Sequence, residues 1–243
     1  MSFVITAYVR EGIVMASDSR LTLNAMQDLP SQGPQVVQLA VAQSDSNYKT
    51  FLALDRYGIS TCGAADIGGV PIAGFIESFI AEGVERHKYE IDAIPKELLL
   101  YFRSMSHPPA STFHIAGYKQ VNHLLEQQVW VVSVGDNTTT RLNPKGEYSI
   151  SWSGEGDVMA RLLLPAAQAD QQGKHSPFPQ FNIPYQFFTL QDAIDFCIYS
   201  VRTTIETIRF QPRPKSVGGP IDVLVIKPTG ATWVQKKELR GEH

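Results

Sequence analysis

The chain has 243 residues, 43% of them hydrophobic and 19% charged, with a formal net charge of −3 and two cysteines. This content supports a sizeable core and excludes a disordered chain; the weak net charge gives no reason to expect a nucleic-acid partner. Two cysteines cannot build a disulfide framework, so Cys62 and Cys197, both in apolar surroundings, are expected to be buried free thiols.

No run approaches the ~18 apolar residues of a membrane-crossing helix, and the N-terminus lacks a signal peptide's basic and apolar regions. A cytoplasmic protein with no membrane partner is expected. No linker or low-complexity tract interrupts the sequence, which predicts one domain over residues 1–243.

In chain order, Ser2 follows the initiator methionine. Methionine aminopeptidases accept small second residues, so loss of Met1 would leave Ser2 with a free α-amine. A serine hydroxyl needs a partner to take its proton. An α-amine, with a pKa of ~7.7–8.0 against ~10.4 for lysine, is well matched to that task. Phe3–Tyr8 and Gly12–Ser17 are short apolar, β-branched runs separated by Arg10-Glu11-Gly12, which predicts a β-hairpin. Such a hairpin returns Asp18 and Arg20 to the start of the first strand. Residues 23–46, including Gln27 to Pro34, have the composition of an irregular loop. Lys49 opens the run Lys49–Leu54, and Ile59–Asp66 passes through the small residues Gly63, Ala64 and Ala65.

Further on, Phe75, Ile76, Phe79, Ile80 and Val84 recur at helical spacing, as do Leu98, Leu99 and Phe102 after Pro95. Strands are expected at Ser111–Tyr118, Gln128–Ser133, around Arg141 and at Tyr148–Ser153. A short helix follows Ser153-Gly-Glu-Gly-Asp-Val-Met-Ala160. Pro165–Tyr185 is a Pro-rich interruption of loop character. Leu190 to Ile208 forms a long amphipathic helix, and Ile221–Ile226 and Ala231–Val234 are closing strands.

The order and spacing of these motifs resemble the proteasome β-subunit/HslV branch of the N-terminal-nucleophile (Ntn) hydrolases, over nearly the whole chain. Gly12-Ile-Val-Met-Ala-Ser-Asp-Ser-Arg-Leu-Thr22 is similar to that family's second-strand signature. The offsets from Ser2 to Asp18 and from Lys49 to Gly63 match its catalytic spacings. The resemblance implies an α+β fold built as a four-layer αββα sandwich. It also implies hydrolysis of peptide or amide bonds by Ser2 with its own α-amine as general base.

On the same basis, Asp18 and Lys49 tune the charge of the site and the Gly63 N–H forms the oxyanion hole. Arg20 supports it, while Thr22, Thr61 and Ala65 lie beside the substrate strand and its side-chain pocket. The family implies a homo-oligomeric ring or spiral, leaves any ATPase partner unspecified, and needs no cofactor.

Two family positions differ. Its Gly-Ser-Gly serine falls on Glu155, and its late Asp-x-x-Ser-Gly-Gly element falls on Arg213-Pro-Lys-Ser216-Val-Gly-Gly219, with no aspartate. Glu155 and Ser216 are therefore expected as supporting groups, Glu155 as an acceptor for the α-ammonium. The alternatives are a small-molecule Ntn amidase and an inactive proteasome-like structural homo-oligomer. Other chemistries have weaker signals. Ser46-x-x-Lys49 leads into a strand rather than a helix, Gly63–Gly69 lacks the Gly-Lys-Ser/Thr ending of a phosphate loop, and the six histidines lack metal-ligand spacing, so no metal is expected.

Overall fold

A computed structural model describes residues 2–28 and 36–238. The strands are β1 (Phe3–Val9), β2 (Gly12–Ser17), β3 (Leu21–Asp28), β4 (Val36–Ser44), β5 (Thr50–Ala53), β6 (Tyr57–Gly63), β7 (Asp66–Ile67), β8 (Val70–Pro71), β9 (Ser111–Val121), β10 (Leu124–Ser133), β11 (Thr138–Arg141), β12 (Ser149–Gly154), β13 (Ala167–Ala169), β14 (His175–Pro177), β15 (Asp222–Lys227) and β16 (Gly230–Gln235). The α-helices are α1 (Ile72–Ser78), α2 (Ile94–Arg103), α3 (Asp157–Leu163) and α4 (Leu190–Phe210). A π-helical segment, Phe79–Glu85, continues α1.

The chain is thus mixed α+β with two five-stranded antiparallel sheets, ordered β12-β1-β2-β15-β16 and β11-β10-β9-β6-β5. Why β1, β2 and β15 read as continuous apolar runs follows from their burial on both faces. Along β1, Phe3, Ile5, Ala7 and Val9 point towards α3 and α4, as do Val14 and Ala16 of β2 and Val223 and Val225 of β15. The alternate residues Tyr8, Ile13, Met15, Leu224 and Ile226 meet Ala116 and Val129 of the other sheet. A third cluster joins Ile59, Phe113, Ile115 and Val132 of that second sheet to Ile76, Phe79, Val84, Leu98 and Phe102.

Helix α4 starts at a capping box, with the Thr189 hydroxyl and the Asp192 backbone and carboxylate satisfying each other. Its buried stripe includes Ile194, Cys197, Val201 and Ile208.

Two sequence expectations are corrected. The stretch expected as an irregular loop carries an antiparallel ribbon, β3 pairing with β4 from Leu21↔Ser44 to Asp28↔Val36; Leu29 to Gln35 of that stretch lie outside the described residues. Val36, Val37, Leu39 and Val41 give Val36–Ser44 an apolar, β-branched character that prevails over the Pro and Gly signals nearby. Within Pro165–Tyr185, β13 and β14 form a second small ribbon. Among the described residues no helix is long and apolar enough to cross a membrane. Cys62 and Cys197 are buried and free.

Candidate active site

The site begins with the hairpin. A two-residue turn, Arg10-Glu11, pairs Val9 with Gly12 and returns the chain so that the Asp18 N–H donates to the Phe3 carbonyl (3.3 Å). Asp18, at zero exposure, then gathers four donors. Its Oδ1 accepts from the Phe3 N–H (3.0 Å) and from Lys49 Nζ (2.6 Å). Oδ2 accepts from the N–H groups of Arg20 (3.1 Å) and Gly218 (3.0 Å). A carboxylate held by three amides and an ammonium satisfies the rule that a buried charge be paired and hydrogen-bonded.

Lys49 is itself buried, at 4% exposure. Burial holds its ammonium below the ordinary lysine range, and the Asp18 charge and hydrogen bond oppose that shift.

Ser2 lies at the head of β1, and its carbonyl accepts from the Glu155 N–H (2.8 Å). Gly154 stands opposite Phe3 with φ +93°. A Cβ there would overlap the Ser2 carbonyl oxygen, so glycine is required on two counts: conformation and space. Gly63 closes β6 with φ +115°, and a Cβ at that position would overlap the Ala110 carbonyl oxygen.

Gly154→Ala is expected to lower stability by ~2 kcal/mol or more, since strain and overpacking add. Gly146→Ala shares a positive φ (+76°) but meets open space. Denaturant midpoints of the two variants separate the collision from the backbone strain; equal losses would refute the collision.

Ser2, Arg20, Thr22, Lys49, Thr61, Gly63 and Ala65 line one cleft, together with Asn47, Tyr48 and Ile72. Asp18 lies beneath it, behind Lys49. Glu155 and Ser216 are not in the cleft wall: they sit behind the Ser2 backbone, where Ser216 Oγ donates to Glu155 Oε1 (2.8 Å). Arg213 donates to Glu155 (3.3 Å) and Asp157 (3.0 Å), so a cation stands where the sequence comparison noted a missing carboxylate.

The Arg20 guanidinium forms a two-point pair with Asp45 (2.6 and 2.7 Å) and stacks against Gly218, bracing the loop whose amide reaches Asp18. The Arg20 hydrogen bond keeps the Asp45 carboxyl below its ordinary range.

Cys62 also lines the cleft. Burial pushes its thiol up to about 12, which leaves it protonated near neutrality and a poor nucleophile.

No family model matches this chain, and no curated protein does.

Sequence reasoning missed several participants. Asp45 and Asn47 lay in or beside the stretch read as loop. The Gly218 amide reaches Asp18 across 200 positions. A second buried pair, Lys237 with Asp222, was also missed: Lys237 Nζ and its backbone N–H (2.7 Å) both donate to Asp222. Asp222 stands opposite Ser17 in the β2–β15 register, one residue from Asp18. Lys237 also lies 4.3 Å from the ring centre of Tyr48, a cleft residue, in a cation–π arrangement. The signal available in sequence was Asp222 itself, a charged residue opening a strand of otherwise apolar character.

Proposed function

We propose that this chain is an N-terminal-nucleophile hydrolase of the proteasome β-subunit/HslV type, cleaving peptide or amide bonds. The observation that carries this reading is the grouping around Ser2. A serine at the head of a buried strand shares its cleft with Lys49, and Asp18 grips both that lysine and the Phe3 amide next to the serine. The two sheets packed face to face, with α1 and α2 on one outer side and α3 and α4 on the other, support the four-layer αββα arrangement of that class.

In this mechanism Met1 is removed first. The freed Ser2 α-amine takes the hydroxyl proton as Oγ attacks the substrate carbonyl, and the N–H of Gly63 receives the developing oxyanion, an interaction of ~2.7–4 kcal/mol. Collapse breaks the C–N bond, and the departing amine takes the proton from the α-ammonium. Water, deprotonated by the same amine, then attacks the ester. Its hydrolysis releases the acid and restores Ser2 Oγ–H. Lys49 favours the neutral amine by its positive field. In this reading Glu155, whose carboxylate Ser216 and Arg213 engage, accepts from the α-ammonium. Assembly into a homo-oligomeric ring or spiral belongs to this reading.

A second reading, an inactive structural relative, is favoured by one observation: Arg213 occupies the supporting aspartate's position and already engages Glu155.

Intact mass of the purified protein, before and after a β-lactone, decides between them. Loss of one methionine and a single adduct that Ser2→Ala abolishes is the expected result. Retained Met1 with no adduct would leave the structural relative.

A further inference from the structure

The cleft beside Ser2 contains an unusual set of unmet hydrogen-bonding atoms. Thr22 and Thr61 are 4% and 3% exposed, and the Oγ1 of each has no hydrogen-bond partner among the described residues. Asn47 Nδ2 is buried and unpartnered in the same cleft. Buried polar groups are almost always paired, and a group left unpaired loses its water without compensation.

The remaining unpartnered buried atoms have a different character. Gln127 Oε1, Arg141 Nε and Arg213 Nε belong to side chains already bonded through other atoms. Thr22 and Thr61 have no second polar atom in the side chain to satisfy them. All three groups in the cleft are uncharged, and together they offer donors and acceptors.

The charges at the cleft are already committed. Lys49 is paired with Asp18, and Arg20 makes its two-point contact with Asp45. An ionised side chain entering here would find no free counter-charge and would lose its hydration. A purely aliphatic side chain would bury the two hydroxyls and the amide permanently unpaired. A site built to hydrogen-bond its ligand rejects the isostere that lacks the polar group.

Building on the hydrolase reading, we infer that this cleft selects substrates by an uncharged polar side chain, a carboxamide or hydroxyl, on the residue whose carbonyl Ser2 attacks. Asparagine, glutamine, threonine and serine fit; aliphatic and ionised residues do not. The carboxamide oxygen accepts from Asn47 or a threonine hydroxyl, and its NH₂ donates to the other hydroxyl.

Asparagine, leucine and aspartate are close in size and differ in the property at issue, so they form the test set. Three N-acetyl tripeptide amides differing only at the last residue are titrated by calorimetry into the Ser2→Ala variant, which binds without turnover. Three matched fluorogenic amides are assayed with wild-type protein. Asparagine is expected to exceed both leucine and aspartate by about tenfold in affinity or in kcat/KM. Thr61→Val, which removes the hydroxyl at constant shape, is expected to reduce that preference severalfold, weakening asparagine and strengthening leucine.

Hydrolysis that favours leucine or aspartate would overturn the selectivity and leave the hydrolase standing. Asparagine-selective binding to the Ser2→Ala variant with no wild-type hydrolysis would overturn the hydrolase and leave the pocket assignment. Neither binding nor hydrolysis of any of the three would overturn both.

Discussion

Replacing Asp18 with alanine is expected to cost about 3–5 kcal/mol of stability and to abolish β-lactone acylation of Ser2. The side chain has zero exposure and receives the N–H groups of Phe3, Arg20 and Gly218 and the ammonium of Lys49. Truncation leaves all four donors buried, and an unpaired buried cation is the most expensive of them. The cost of the cation is separable. In Asp18→Ala/Lys49→Met the ammonium is gone too, so the double variant should lose less than the sum of the singles, with a coupling of about 1–3 kcal/mol. Urea denaturation of the four proteins measures it. Additive losses would show that Lys49 and Asp18 do not depend on each other. Lys49→Met alone should be milder than Asp18→Ala, because three backbone amides still hold the carboxylate.

Stability is expected to fall by about 3 kcal/mol between pH 6.5 and pH 4, from a residue that the chemistry does not use. His114 is fully buried between the two sheets. Its Nδ1 meets Thr6 Oγ1 of β1 at 2.9 Å and its Nε2 meets Ser153 Oγ of β12 at 2.8 Å. Both hydroxyls can turn to donate or accept, so they tolerate either protonation state. Desolvation decides the matter, pushing the imidazole down to about 4.

Below about pH 6.5 the unfolded chain binds a proton that the native state refuses until about pH 4. This contribution is therefore complete above the unfolded pKa and is lost as pH falls towards the folded one. Denaturant midpoints at pH 7 and pH 5 for wild type and His114→Gln test this: the variant should lose much of the slope. An unchanged slope would assign the acid sensitivity to other groups.

The parts legible in the sequence were those written in local pattern. Phe3–Val9 and Gly12–Ser17 announce a hairpin by apolar β-branched runs around a polar turn, and the α4 stripe announces itself by helical spacing. The hairpin alone places Asp18 beside Phe3, which is why that neighbourhood was foreseeable. Pairings made across long separations were not. Nothing local to Arg20 selects Asp45 as its partner, and nothing near Glu155 indicates that Arg213 will arrive 58 positions later. The β3–β4 ribbon was hidden by its turn-forming neighbours. The unmet hydroxyls of Thr22 and Thr61 are a property of the assembled cleft, since nothing in the local sequence of either strand shows whether a hydroxyl will find a partner.

The sheet order β12-β1-β2-β15-β16 also has a consequence in time. On the ribosome the β1–β2 hairpin is made long before β15, the strand that flanks β2. Asp18 obtains its Gly218 amide only after some two hundred intervening residues have emerged. Such non-local closure is slow compared with helix formation. The set of donors that holds Asp18 is therefore completed only once the segment leading into β15 has been made and has docked beside β2.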